Sequence, residues 1–471
     1  MRKLLQIAGL LAIVMTAQAA ETELPLRVKN ALDVRNVPAE SLSLHVRDVD
    51  SGEVVLEWHA DTPRNPASTI KLLTTLVALD VLGPAYQWRT DVYVAGELED
   101  GRLDGDLILK GYGDPFLVTE RVWQLLRQIR QAGVREVTGD LLLDDSWFEV
   151  GHHDPAAFDK RPLRAYNVAP NALMMNLKVV RYWFEPDHVE GSVDVTVDPS
   201  LANLSVENRL GLANGSCRGY QRGITVSANE TVDEVTFSGR FPKGCERYAM
   251  DRTVLSHNEY VYGLVDSLWR ESGGSIGGGW KNVVVAEDEE PLLSFRSRPL
   301  REMIALVNKH SNNVMARQIM YTLGAEVNGP PGTEENGRAV IEDWLSKNGL
   351  ASTEIEIENG AGLSRKTRTT AKDLGAMLQF AWRQPYMPEY VASMSLSGLD
   401  GTLRRRFRDP NLAGKAHMKT GSLDHVTAIA GYLQARSGRR FAVVALQNHE
   451  DIHRGPGEEV QEALLRWLYE Q

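Results

Sequence analysis

Asn65-Pro66-Ala67-Ser68-Thr69-Ile70-Lys71 opens a run that stays apolar to Leu82 and stops at Gly83-Pro84. That pattern predicts an apolar helix over Ser68 to Leu82, with Ser68 where it begins. Ahead of it, Leu42 to Asp48 and Val54 to Trp58 read as two strands joined by Asp50-Ser51-Gly52, a hairpin turn signal. At the other end of the chain, Lys415 to Thr420, Val426 to Leu433 and Arg440 to Leu446 read as strands, the last two joined by Arg436-Ser437-Gly438-Arg439. Val460, Ala463, Leu464, Trp467 and Leu468 then recur at helical spacing. Two N-terminal strands meeting three C-terminal ones make an α+β fold, a five-stranded antiparallel sheet flanked by helices.

Between these ends lies a different kind of sequence. At 471 residues the chain needs more than one core. From about Gln87 to Lys281 it has strand-like pieces, many turn residues and an internal echo, in which Gly105-Asp106-Leu107-Ile108-Leu109 resembles Gly139-Asp140-Leu141-Leu142-Leu143. A helical stretch from Thr119 to Ala132 separates the two copies. The expected organisation is a discontinuous domain of residues 20–86 and 282–471 around an inserted region, 87–281. Within the insertion, 87–190 and 248–281 form one β-rich unit and 191–247 a second. Gly273-Gly274-Ser275-Ile276-Gly277-Gly278-Gly279 has no Walker lysine after it, so it reads as a flexible turn or re-entry linker. Helical patterns resume at Pro299, running through Lys309, from Asn313 to Leu323, and from Arg338 to Asn348.

The N-terminus carries an address. Arg2 and Lys3 precede an apolar run from Leu4 to Met15 that ends in Ala17-Gln18-Ala19, the layout of a cleavable secretory signal peptide over residues 1–19. Cleavage there removes two cations and no acid, taking the net charge from −11 to −13. Such acidity argues against nucleic acid and anionic membrane as electrostatic partners. No later segment is long enough to anchor the chain in a bilayer. Export also makes Cys217 and Cys245, the only two cysteines, a candidate disulfide. Neither has a ligand-spaced neighbour, and His152-His153-Asp154 has no further ligand at metal-site spacing, so no metal or other cofactor is expected.

Three strings carry chemistry. Ser68 and Lys71 stand three apart at a helix start, which puts both side chains on one face. A serine hydroxyl attacks well only when a base takes its proton, and a lysine amine serves once burial or a neighbouring cation lowers its pKa. Lys419-Thr420-Gly421 occurs once, on a predicted strand. Lys419 can be that cation and, with Thr420, hold a terminal carboxylate. Gly421 lets substrate backbone approach, and the Ser422 N–H with that of Ser68 can form an oxyanion hole. The third string, Ser-x-Asn, matches at Ser227, Ser256, Ser311 and Ser346. Ser311-Asn312-Asn313 lies between two helices in the part that rejoins the first fold. There Ser311 can relay a proton and Asn313 can hold a peptide, while Ser256-His257-Asn258 competes because it too precedes a helical run. No Gly-x-Ser-x-Gly elbow is present.

With these strings in order, the chain resembles the class C low-molecular-mass penicillin-binding proteins, the D-alanyl-D-alanine carboxypeptidase/endopeptidases. Asn308 to Asn313, Gly362-Leu363-Ser364-Arg365, Gly398 to Leu403 and Lys419 to Leu423 carry the resemblance further and favour Ser311 over Ser256. The family's large insertion also matches the 240 positions between Lys71 and Ser311 (311 − 71). The resemblance implies a penicillin-binding, β-lactamase-like fold and a periplasmic enzyme whose Ser68 is acylated by peptidoglycan stem peptides. β-Lactams would be covalent inhibitors, and a homodimer is one allowed assembly. It makes Arg365 a substrate contact and, through Leu142 to Phe148, makes Asp144 the candidate for binding the diaminopimelate end. Two other readings use the same strings. A serine β-lactamase would turn over a chromogenic cephalosporin rapidly, and a non-catalytic peptidoglycan-binding protein would take up no penicillin covalently.

Overall fold

The computed structural model describes residues 23–219 and 222–471; the signal peptide expected over 1–19 lies outside them. Its central sheet is antiparallel throughout and has six strands, one more than expected. They run in the order Ser395–Leu396, Ala416–Leu423, Val426–Gln434, Arg440–Asn448, Leu42–Asp48, Val54–Trp58. The N-terminal pair joins the C-terminal three through Leu42–Asp48 and Arg440–Asn448, in register from Leu42↔Gln447 to Asp48↔Phe441. The extra edge strand is two residues long, too short for alternation to reveal it.

Alternation sorts the inner strands between two helical layers. Ala428, Ala430, Tyr432, Ala442, Val444 and Leu446 face the helices Lys71–Leu82, Leu300–His310, Asn313–Asn328 and Ala371–Trp382. Ile429, Leu433, Phe441, Val443 and Ala445 face the other way, against Leu26–Val34 and the C-terminal helix Pro456–Tyr469. Covered on both sides, these strands have near-continuous apolar runs. The Lys71–Leu82 helix is itself buried from Lys71 through Leu79 and ends at Gly83, whose φ of +80° suits a glycine stop. From Lys71 to Leu79 it has no wet face, so this part of the helix is held on all sides.

The echo in the insertion turns out to be a strand–helix–strand unit. Arg102–Gly111 and Leu141–Asp144 lie side by side and parallel, Leu107 opposite Leu141 and Leu109 opposite Leu143, with the helix Thr119–Gln131 crossing between them. The glycine-rich stretch is not a linker. Ser275–Ile276 pairs with Glu136–Val137, and Trp280–Asn282 with Leu141 to Leu143, all in parallel. Gly277 and Gly278 are packing residues: a Cβ on Gly277 would stand 2.5 Å from Thr138 O, and one on Gly278 2.1 Å from Asp140 Oδ1. This sheet ends with Leu293–Arg296 against Arg89–Glu99, later in the chain than the expected re-entry at 282. Ser192–Asp198 pairs with Val179–Asp187, leaving Ser205–Ala213, Ile224–Ala228 and Glu234–Pro242 as the cysteine-bearing sheet.

Cys217 and Cys245 are joined in a disulfide across a separation of 28 residues. Closing a loop of that length removes unfolded-chain entropy worth about 3–4 kcal/mol. Changing both cysteines to serine is expected to lower the urea midpoint of this sheet, and urea unfolding curves of the two proteins read the difference.

Candidate active site

Ala67 to Ile70 form a tight 3₁₀ turn that feeds the Lys71–Leu82 helix, so Ser68 sits just ahead of the helix. Gly421 presses against this turn; a Cβ there would lie 2.6 Å from Pro66 O and 3.0 Å from Ser68 N. The close approach of strand to turn is the physical reason for glycine at that position. From the opposite side comes Gly360-Ala361-Gly362. Gly362 has φ +73°, and a Cβ there would stand 2.0 Å from Ala67 O.

Lys71 Nζ lies 2.9 Å from Ser68 Oγ and donates to Asn313 Oδ1 at 2.6 Å and to the carbonyl of Ala361. A neutral amine has two hydrogens and one lone pair. With both hydrogens taken by Asn313 and Ala361, the lone pair is left for the Ser68 hydroxyl. Lys71 is fully buried, and its pKa is pushed well below the ordinary lysine value by burial first, then by the charges of Lys419 and Arg317. The arrangement is that of a general base beside its nucleophile.

Lys419, also fully buried, donates to Ser311 Oγ at 2.9 Å and to Thr420 O at 2.6 Å. Burial lowers its pKa to about 7. Ser311 occupies the junction of two helices, ending Leu300–His310 with φ +55°, while Asn312 caps Asn313–Asn328 by accepting from Met315 N at 3.0 Å. The junction turns Ser311 to Lys419 and Asn313 to Lys71. Ser256, the competitor, is spent as a helix cap with Glu259 in a capping box.

These groups open on a cleft of about 770 Å³. Ser68, Ser311, Asn313 and Ser422 line its floor, and Phe158, Asp159, Arg161 and Tyr166 come to it from the insertion. Arg365 is there too, half-exposed, with its guanidinium 4.8 Å over the Phe158 ring and 3.4 Å from the Asp424 carboxylate. Asp144 is not. It is fully buried in the insertion's sheet, 3.4 Å from Lys110 Nζ, and accepts from Ser146 Oγ at 2.6 Å and Val285 N at 2.8 Å. Its lone pairs are used by its own domain. The insertion's acid in the cleft is Asp159, which accepts from Tyr166 Oη at 2.6 Å and Asn167 Nδ2 at 2.9 Å.

Sequence reading overlooked Asp159, the Ala361 carbonyl and Thr402. Thr402 accepts from Thr420 Oγ1 at 2.9 Å and so orients the Thr420 hydroxyl. Asp159 lies in a stretch without periodicity and had no signal; Ala361 was marked by its flanking glycines, and Thr402 by the Gly398 to Leu403 string.

Among the described residues, one His/Asp group gathers ligand atoms: His425, Asp451 and His453, within 4.8 Å of one another. Yet both Nδ1 atoms accept backbone N–H bonds, His425 from Asp451 at 3.1 Å and His453 from His425 at 2.9 Å. That puts each ring's proton on Nε2 and leaves no free lone pair for a cation. The group is a clamp between two turns.

The model of the D-Ala-D-Ala carboxypeptidase 3 (S13) family matches residues 27–471. A D-alanyl-D-alanine carboxypeptidase of Actinomadura sp. is 29% identical over 447 residues, covering 90% of this chain and 80% of that protein. One from Haemophilus influenzae is 22% identical over 405 residues, covering 85% and 84%. Among solved structures, penicillin-binding protein 4 of Haemophilus influenzae superposes with a TM-score of 0.79 at 21% identity, covering 95% of this chain and 100% of that one. A predatory endopeptidase of Bdellovibrio bacteriovorus shares the fold more distantly, with a TM-score of 0.55 at 14% identity over 90% of this chain and 92% of that one.

Proposed function

Because the chain belongs to the D-Ala-D-Ala carboxypeptidase 3 (S13) family, we propose that it is a periplasmic serine peptidase of peptidoglycan, acylated at Ser68 by stem peptides ending in D-Ala-D-Ala. The observation that carries this reading is the Lys71 amine, whose two other partners leave its lone pair for Ser68 Oγ at 2.9 Å.

Lys419 and Thr420 hold the terminal carboxylate, which sets the penultimate D-Ala carbonyl over Ser68. Ser68 Oγ attacks the carbonyl carbon as its proton passes to Lys71, and the backbone N–H groups of Ser68 and Ser422 receive the oxyanion. Ser311, bonded to Lys419, relays a proton to the departing nitrogen. The C–N bond breaks, D-Ala leaves, and an ester to Ser68 remains until water, deprotonated by Lys71, hydrolyses it. When the departing nitrogen belongs to a diaminopimelate residue of a second stem, the same steps cut a cross-link, which is the endopeptidase reaction. The cleft's mixed charges, Asp159, Arg161 and Arg365, suit a zwitterionic diaminopimelate end. A β-lactam enters as a mimic of the peptide and leaves a slowly hydrolysed ester. The Haemophilus influenzae protein has also been solved in complex with a β-lactam, which supports this step.

Incubation with purified muropeptides, followed by mass analysis, tests the reading. Monomers shortened by one alanine are expected, together with cross-linked dimers split into monomers. Unchanged muropeptides would refute it. A chromogenic cephalosporin turned over in many cycles rather than held as an adduct would instead establish a β-lactamase.

A further inference from the structure

The insertion's helix Thr119–Gln131 buries Val122, Leu125, Leu126 and Ile129 in the core beneath it, and leaves its other side to solvent. Two grooves adjoin that outer side, of about 430 and 520 Å³, and they share Trp123, Arg127 and Gln131 as walls. Arg130 and Arg135 line one of them, Arg121 and Arg296 the other. Among the described residues no acid lines either groove. The catalytic cleft shares no wall residue with them.

None of the five arginines is in an ion pair among the described residues. Aromatic rings position three of them instead. Arg127 stands 5.8 Å over the Trp123 ring, Arg130 5.4 Å over Trp269 and Arg121 4.4 Å over Phe295. Arg121 also feels the buried Asp114. Of the acids close in sequence, Glu120 and Glu271 line neither groove, and Glu136 lies 3.8 Å from Arg102. In a chain of 63 acids and 52 lysines and arginines, five arginines gathered without an acid are a segregated positive patch. Trp123, 49% exposed, stands at its centre.

We propose that these joined grooves bind a glycan strand of uncut peptidoglycan, apart from the stem in the cleft, so that the insertion keeps the enzyme on the polymer. The proposal rests on the peptidoglycan reading above. Arginine forks match the carboxylates that stems carry along such a strand. The Trp123 indole offers a flat apolar surface to the C–H face of a sugar ring. Gln124, Gln128 and Ser294 line the same walls and suit sugar hydroxyls. An acidic protein segment would use the forks alone. A broad anionic bilayer would face the chain's net negative charge, whereas a single strand meets only the groove. The 13-residue helix is about 20 Å long, a length for a strand rather than for one ion.

Co-sedimentation with purified insoluble peptidoglycan is to be measured with the Ser68→Ala protein, which leaves the polymer uncut. Adding Trp123→Ala and Arg127→Gln to it is expected to raise Kd about tenfold, as loss of a charge-assisted contact and an aromatic one would, with an unchanged thermal melt. In the protein that keeps Ser68, the same two substitutions should leave D-alanine release from a soluble pentapeptide unchanged and slow release from intact polymer. Binding of the Ser68→Ala protein should weaken as salt is raised, and glycan stripped of its stems by an amidase should bind less well. Substitutions without effect on Kd would overturn the groove. So would a Ser68→Ala protein that fails to sediment with the polymer, or that is indifferent to salt and stripping, an arm that needs no groove variant. Loss of a dimer in sedimentation, with polymer binding intact, would overturn it in favour of a second copy of the chain. Groove-dependent binding by a protein that releases no D-alanine from any peptide would support the groove and overturn the peptidase function instead.

Discussion

Lys71→Met is expected to slow acylation by about 10²–10⁴-fold, the range that a positioned base contributes. Ser68→Ala should abolish it. Among the described residues the amine is the only group that bridges Ser68 Oγ, Asn313 Oδ1 and Ala361 O, so its loss removes the proposed base and frees the side chains it orders. Methionine fills the buried space with an apolar chain of similar length, and the cost of two unsatisfied acceptors falls on stability rather than on labelling. Rapid-mixing measurements of fluorescent-penicillin uptake, with a thermal melt as control for folding, separate the two effects. A folded Lys71→Met protein that labels within tenfold of the wild type would exclude Lys71 as the base.

The second large effect concerns Lys419 and has a pH signature. Lys419→Met is expected to raise KM for carboxylate-ended peptides about 10–10²-fold, since it removes a charged donor to the carboxylate. In the wild type, two amines share one buried site, so the limbs of the pH profile belong to the pair. Lys71 has a depressed pKa and must be neutral to act as a base, so activity falls when the pH drops enough to protonate it. Lys419 must be charged to bind, and with a pKa of about 7 it loses its proton as the pH rises past neutrality. The kcat/KM profile is therefore expected to be a bell whose alkaline limb lies near 7. A bound carboxylate favours the charged lysine, so the limb in kcat should lie higher. A kcat/KM profile flat from neutrality to pH 9 would contradict the role given to Lys419.

Much of this was readable because it is local. Ser68 and Lys71 lie within one helical turn, and spacing alone puts them on one face. The Gly83 stop, the hairpin at Asp50-Ser51-Gly52 and the apolar run of Val426–Gln434 also involve only near neighbours. Reading failed where an answer depended on what lies across a sheet. Gly273 to Gly279 has the composition of a linker, but Gly277 and Gly278 are set by Thr138 and Asp140, in the link between two neighbouring strands. Asp144 sits in a string that looks like a substrate contact, but Lys110 and Val285 N, remote in sequence, consume its carboxylate.

The sequence by itself singled out the groups to which the proposed chemistry is assigned: a hydroxyl, two amines and an amide, each on an element of recognisable kind. Only the tertiary structure decided their states. Lys71 and Asn313 are 242 positions apart, and Lys419 and Ser311 are 108 apart. Their contacts exist because the sheet and its covering helices close around them. Burial is what lowers the pKa of two ordinary lysines and so suits them to the proposed roles of base and anchor, and burial is a property of the packed chain rather than of any short string of residues.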